Sequence, residues 1–239
     1  MKTRSRYRRV LLKLTGESLQ GAGAGGIDWS AAQRVARELR DVTKLGVQLA
    51  IVIGGGNFWR GRTAQNTGMN RITADQIGMV ATVMNGLALR DALEEAGVSA
   101  RVMTALEIPR LAETFQRDRA VRHLDKDRVV IFAGGTGNPI FTTDTAAALR
   151  AAEVRADVLL KASTVDGVYD SDPRKNPKAK RYARLSFSEA IARDLKVMDT
   201  AAFSLCKDSG VRIIVFDSRQ PGNIKRAVLG RDIGTLVTE

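Results

Sequence analysis

Two lysines stand where lysine is costly. Lys13 interrupts the apolar run 10–14, and Lys161 closes the run that begins at residue 158. An ammonium in such a place is tolerated when it reaches an open site or an ionic partner, so each marks a point where an anion could be held. Thr15 and Gly16 follow Lys13, and a residue without Cβ lets the backbone approach an anion closely. Gly54, Gly55 and Gly56 follow the apolar run 47–53; their N–H groups could converge on phosphate oxygens, with Arg60 adding a two-pronged contact. Residues 133–144 combine a glycine turn with hydroxyl and amide groups and end on Asp144, an acid able to hold neighbouring lysines. After Lys161 come Ser163, Thr164 and a turn at Asp166 and Gly167, then Tyr169, which could pack on a purine, and Asp172, which could accept from a ribose. Taken alone, each segment also fits an ordinary turn or strand end. Taken together, they indicate a pair of phosphate-rich substrates.

Several chemistries are excluded. Glycine never precedes lysine in the chain, so the Walker phosphate loop is absent. His123 and Cys206 are the sole histidine and cysteine, which leaves no His/Cys metal cluster and no internal disulfide. Gly21, Gly23 and Gly26 formally satisfy the dinucleotide-binding glycine spacing. That fingerprint should begin directly after its strand and enter a helix, whereas here it falls well after Leu14 and ahead of a helix that starts near Asp28.

Something must bring these segments together. Short runs rich in β-branched residues at 10–14, 47–53, 100–103, 129–132, 158–160 and 211–216 read as strands covered on both faces, with one more at 235–238. Helical stretches alternate with them: one capped by Asp28, a long one over 73–96, one beginning at Asp144 as cap, one with capping-box spacing at Ser186 and Glu189, and one over 201–208. Strand and helix in alternation imply a mainly parallel sheet between helix layers, which places ligands outside the carboxyl ends of its strands. The four chemistry-bearing segments all lie at such ends.

The 239 residues, 44% of them hydrophobic, suffice for one core. The basic start is not followed by an apolar stretch long enough for a signal peptide or membrane span, and a cytoplasmic protein without membrane attachment is expected. Of the net charge of +12, residues 1–9 and 172–184 supply +10. With only Tyr7 and Tyr182 interleaved there, a base-stacking platform is lacking and solvated basic segments are expected, with salt-dependent nucleic-acid binding as the alternative reading.

Nine segments together resemble the bacterial uridylate kinases of the amino-acid-kinase superfamily: residues 12–17, 52–57, 68–71, 81–88, 135–139, 141–144, 161–168, 196–199 and 234–239. The resemblance runs from about residue 8 to the last. The 81–88 string, the 135–144 loop and the closing Gly-Thr-Leu are the parts most particular to the uridylate branch. It implies a three-layer α/β/α sandwich forming one domain over residues 1–239, assembled as a hexamer. It implies transfer of a phosphoryl group from ATP to UMP, with Lys13, Asp144 and Asp199 catalytic and magnesium held by the phosphates rather than directly by the protein. Lys13, Leu14, Thr15, Gly16, Gly56 and Arg60 would meet the ATP phosphates, and Ser163, Tyr169 and Asp172 its nucleoside. Gly55, Asp75, Thr136, Gly137, Asn138, Pro139, Ile140, Phe141, Thr142 and Thr143 would hold UMP, with Asp75 on the ribose. Activation by GTP near Gly21, Ala22, Gly23, Ala24, Gly25 and Gly26, and inhibition by UTP, are implied as well. Thr15 stands where serine is usual and Ser163 where threonine is common, each keeping its hydroxyl. The nearest rival within the superfamily phosphorylates a carboxylate such as acetylglutamate or aspartate.

Overall fold

The alternating runs assemble into one sheet with helices on both faces. The computed structural model describes residues 5–23, 25–59, 68–195 and 197–239. In chain order these form β1 (Arg9–Leu14), a 3-10 turn (Gly16–Leu19), α1 (Trp29–Thr43), β2 (Gln48–Ile53), α2 (Arg71–Glu95), β3 (Ala100–Thr104), β4 (Glu113–Thr114), α3 (Arg117–Leu124) and β5 (Val129–Ala133). There follow α4 (Thr143–Glu153), β6 (Val158–Ser163), β7 (Arg184–Ser186), α5 (Phe187–Ala192), α6 (Thr200–Ser209), β8 (Arg212–Asp217), α7 (Asn223–Val228) and β9 (Gly234–Thr238). The strand order is β4-β3-β5-β2-β1-β6-β8-β9-β7. Every pairing between these strands is parallel except that of β8 with β9.

Side-chain alternation along the strands divides the core in two. Val10, Leu12 and Leu14 face the layer of α1, α2 and α7, while Leu11 faces the layer of α3, α4, α5 and α6. Because the period is two residues, Lys13 falls on the Leu11 face. Lys161 falls on the same face by the same count from Leu159, and β1 pairs with β6 so that Lys13 lies opposite Lys161. Strand pleat and register thus aim both ammoniums at the start of α4.

The expected parallel sheet between helix layers is present, with four short elements the sequence reading left out: β4, β7, α3 and α7. Strands of two and three residues show no periodicity, and α3 is a short helix crowded with arginines. One cap needs correction. Asp144 does not cap α4; Thr142 does, its Oγ1 accepting the N–H groups of Asp144 and Thr145. Asp28, Ser186 and Asp199 cap α1, α5 and α6 through their side chains, and α6 ends on Gly210 in the left-handed conformation (φ 68°). No helix among the described residues is long and apolar enough to cross a membrane.

Candidate active site

Asp144 lies between the two strand lysines. Its Oδ1 is 3.2 Å from Lys13 Nζ, and its Oδ2 accepts from Lys161 Nζ. Both lysines are less than a tenth exposed. Burial by itself would push the Asp144 carboxyl up, but the ammoniums of Lys13 and Lys161 outweigh it and hold the carboxyl below its ordinary range. Burial likewise draws Lys161 below the usual ammonium range, against the opposing pull of Asp144. Removing one partner of such a group leaves a buried charge uncompensated, at a cost of roughly 3–5 kcal/mol. The trio therefore fixes two cations at the mouth of the sheet, and its carboxylate is committed to holding them.

Beside it, the turn after β2 is held from below. Asn85 on α2 is fully buried; its Nδ2 donates to Gly54 O and to Asn57 Oδ1, both at 2.7 Å, while Asn57 Nδ2 donates back to Asn85 Oδ1 at 3.0 Å. The backbone packs too closely here for side chains. A Cβ on Gly55 would lie 2.7 Å from Gly78 O, and one on Gly16 would lie 2.3 Å from Asn57 Oδ1. Thr82, one turn before Asn85, accepts the N–H of Gly134 at 2.7 Å and so ties the loop after β5 to the same helix.

A cavity of about 210 Å³ opens between that turn, α2 and the 134–142 loop. Of the residues expected around an acceptor, Gly55, Asp75, Asn138, Phe141, Thr142 and Thr143 line it, as does Gly56. Thr136 and Ile140 shape the loop instead: the Thr136 hydroxyl bonds both N and O of Asn138, and Ile140 N–H donates to Asp75 Oδ2 at 2.9 Å. Arg71 Nε donates to the same oxygen at 2.7 Å. Gly137 and Pro139 belong to the same loop without lining the cavity.

Thr142 links this pocket to the next. Its hydroxyl donates to Asp199, which also accepts from Thr145 Oγ1 (3.0 and 2.9 Å) and from Ala202 N–H (2.8 Å). Asp199, Asp144, Lys161 and Thr142 share a cavity of about 490 Å³. A larger one, about 650 Å³, has Lys13, Thr15 and Lys161 at its inner end and Ser163, Tyr169 and Asp172 further out. Tyr169 donates its hydroxyl to Asp166 Oδ1 at 2.7 Å, a bond that raises its phenol above the ordinary value, and Asp172 accepts the N–H of Arg174.

The structure thus brings Lys13, Thr15, Asp144, Asp199, Ser163, Tyr169 and Asp172 around adjoining cavities, with Gly55, Gly56 and Asp75 next to them. Leu14 sits differently: its side chain enters the core on the face opposite Lys13, leaving only its backbone at the strand end. Gly26 exchanges backbone and side-chain bonds with Asn57 (2.9 and 2.8 Å), which puts Gly25 and Gly26 beside the glycine turn; Gly21 lies against Asp28, Gly23 O accepts from Gln20 Nε2, and Ala22 is exposed between them. Arg60 and Ala24 lie outside the described residues. Thr82, Asn85, Thr145 and Arg71 received no role from sequence alone. A signal existed for the first two: both are polar residues on the buried stripe of α2 that continues to Leu89.

Two buried lysines at parallel strand ends and an acid at the start of α4 line two cavities beside the small pocket, an arrangement suited to bringing two phosphate-bearing molecules together without a Walker loop. The chain belongs to the amino acid kinase family, whose profile matches residues 8–217. Among solved structures it is similar to a UMP kinase from Bacillus anthracis, at 39% identity and TM-score 0.93 over 97% of this chain and 96% of that one. A UMP kinase from Ureaplasma parvum matches at 36% identity and TM-score 0.92, covering 98% and all of its length. A uridylate kinase from Archaeoglobus fulgidus matches at 29% identity and TM-score 0.73, over 96% and 99%.

Proposed function

We propose that this chain transfers the γ-phosphoryl group of ATP to UMP, giving ADP and UDP, a step of pyrimidine nucleotide biosynthesis. The observation that carries the reading is the Lys13–Asp144–Lys161 trio, whose members line the cavities of about 650 and 490 Å³; the latter shares Thr142 and Thr143 with the smaller pocket. ATP would occupy the larger cavity, its nucleoside beside Ser163, Tyr169 and Asp172 and its phosphates reaching Lys13, Thr15, Gly16 and Gly56. UMP would occupy the smaller one, its ribose toward Asp75 and its phosphate toward the start of α4.

Phosphoryl transfer asks mainly for positioning and charge stabilisation. A UMP phosphate oxygen is already ionised at neutral pH, so no general base is needed. Asp144 suits that demand, since it is held ionised and its two oxygens face ammoniums. It acts as a positioning residue: it keeps Lys13 and Lys161 aimed at the charge that builds up during in-line attack on the γ-phosphorus. Among the described residues Asp199 accepts from neutral donors only, the hydroxyls of Thr142 and Thr145 and the N–H of Ala202, which fits a divalent cation carried on the ATP phosphates. Magnesium bound there would supply further neutralisation of the transferring group.

Several finer features join the proposal. The stripe of Ile77, Val80 and Met84 on α2, with Phe58, is exposed and apolar, and supports a homo-oligomer, taken here as a hexamer. GTP activation would act through the loop beside Asn57, UTP would inhibit, and the enzyme would work in the cytoplasm. The decisive assay is ADP release with UMP, CMP, acetylglutamate and aspartate offered separately. Fast turnover with UMP is expected, and turnover with an amino-acid carboxylate in its place overturns the reading.

A further inference from the structure

The end of the sheet opposite the candidate active site holds another open cavity, about 670 Å³, that the proposed reaction does not use. Its walls include Arg6 and Arg8 ahead of or entering β1, Arg155 after α4, and Arg212 at the start of β8. All four arginines are exposed. Register sets them side by side. Asp157 accepts the N–H groups of Arg8 and Arg9 at 2.7 and 2.9 Å, Val10 pairs with Val158, and Val158 pairs with Arg212. The cations therefore come from three neighbouring strand ends, spread over roughly 10 Å at about 4.8 Å per strand.

Arg9 shows what a structural arginine looks like in this neighbourhood: it bonds Gln48, Val154 O and Asp125. The guanidiniums of Arg8, Arg155 and Arg212 make no hydrogen bond or ion pair with a described residue. Counter-charge is present but smaller. Asp157 contributes one negative charge, and the C-terminal ends of α4 and α6 roughly half a charge each. Four guanidiniums exceed that total.

The arrangement favours an extended anion over a compact one. A small anion is gripped by convergent, buried donors, whereas these are exposed and strung along an edge. A guanidinium fork matches the oxygens of a phosphodiester. No exposed large apolar side chain lines the cavity, so the anchors that hold a protein on a lipid surface are lacking there. Tyr7, with Arg6 5.9 Å from its ring centre, is the sole aromatic in the wall, which leaves little to read bases. We propose that this pole binds the phosphate backbone of single-stranded nucleic acid, without regard to sequence, at a site separate from the nucleotide pockets.

Fluorescence anisotropy of labelled adenine oligomers of about 20 nucleotides, RNA and DNA, tests this in the presence of saturating ATP and UMP. Binding should persist under those conditions and weaken steeply with salt. The combined variant Arg8→Glu, Arg155→Glu, Arg212→Glu should bind at least tenfold more weakly. With three phosphate contacts gone, its log–log salt slope should be shallower by about 2, with melting temperature and nucleotide turnover unchanged. The idea fails if wild type does not bind at low salt, if ATP and UMP displace the oligomer, or if the triple variant binds as well as wild type. It fails equally if the loss follows Arg174→Glu, Lys175→Glu instead, or if the protein takes up phosphatidylserine vesicles and no oligomer. None of these outcomes depends on which acceptor the enzyme phosphorylates.

Discussion

The two poles of the sheet both gather cations, yet they handle charge in opposite ways. At the carboxyl ends, Lys13 and Lys161 are buried and locked onto one carboxylate. At the amino ends, Arg6, Arg8, Arg155 and Arg212 stand in solvent around an open basin. Burial raises the strength of every interaction but demands a partner; exposure weakens each contact and demands none. One pole is thus built to place charge at a point, and the other to spread a field along an edge.

The contrast can be broken most forcefully at its hub. Asp144→Asn should destabilise the fold by about 3–5 kcal/mol at neutral pH, because two buried ammoniums lose their counter-charge. The Asp144 carboxyl is depressed in the folded state, so its stabilisation is complete above its ordinary value of 3.8 and is lost as pH falls through the lower folded value. Urea titrations of wild type and variant should therefore converge as the pH drops below 3.8. A gap that stays constant with pH would deny Asp144 this role.

Lys13→Ala comes next. Losing a preorganised charge partner raises the barrier by about 3–4 kcal/mol, so kcat should fall about a hundredfold or more while far-ultraviolet circular dichroism is unchanged. Turnover close to wild type would end the mechanism. Asn85→Ala is expected to cost about 1–3 kcal/mol in denaturant titration, since Gly54 O and Asn57 Oδ1 would be left buried without a donor. At the other pole, Arg155→Ala and Arg212→Ala should each shift stability by no more than about 0.5 kcal/mol. A larger loss there would mean that these arginines are structural after all.

Much of this was legible before any coordinates. A lysine in an apolar strand can be read directly, and pleat alternation then fixes which helix layer it faces. That Lys13 and Lys161 share one acid depends on register, which no local pattern reveals. Asp144 was readable both as a holder of neighbouring lysines and as a helix cap; the two tasks are alternatives for one carboxylate, and the cap fell to Thr142 because the lysines claim Asp144. Asn85 was quoted only within a motif. Its partner lies 31 residues earlier in the chain, at a distance only packing can close. The basic excess of residues 1–9 was visible as charge, whereas its meeting with Arg155 and Arg212 was not.

The contact between the glycine turn and α2 has one more consequence. With Gly55 pressed against Gly78 O and Ala81, the two cannot slide past each other without collision. That side of the acceptor pocket is an anvil. Reshaping the pocket for a bulkier or differently decorated base must be done on the facing wall, residues 134–142, which is tied to α2 by just two hydrogen bonds among the described residues, Gly134 N–H to the Thr82 hydroxyl and Ile140 N–H to Asp75. Directed evolution of acceptor preference should accordingly harvest its substitutions from that loop and leave the glycines untouched.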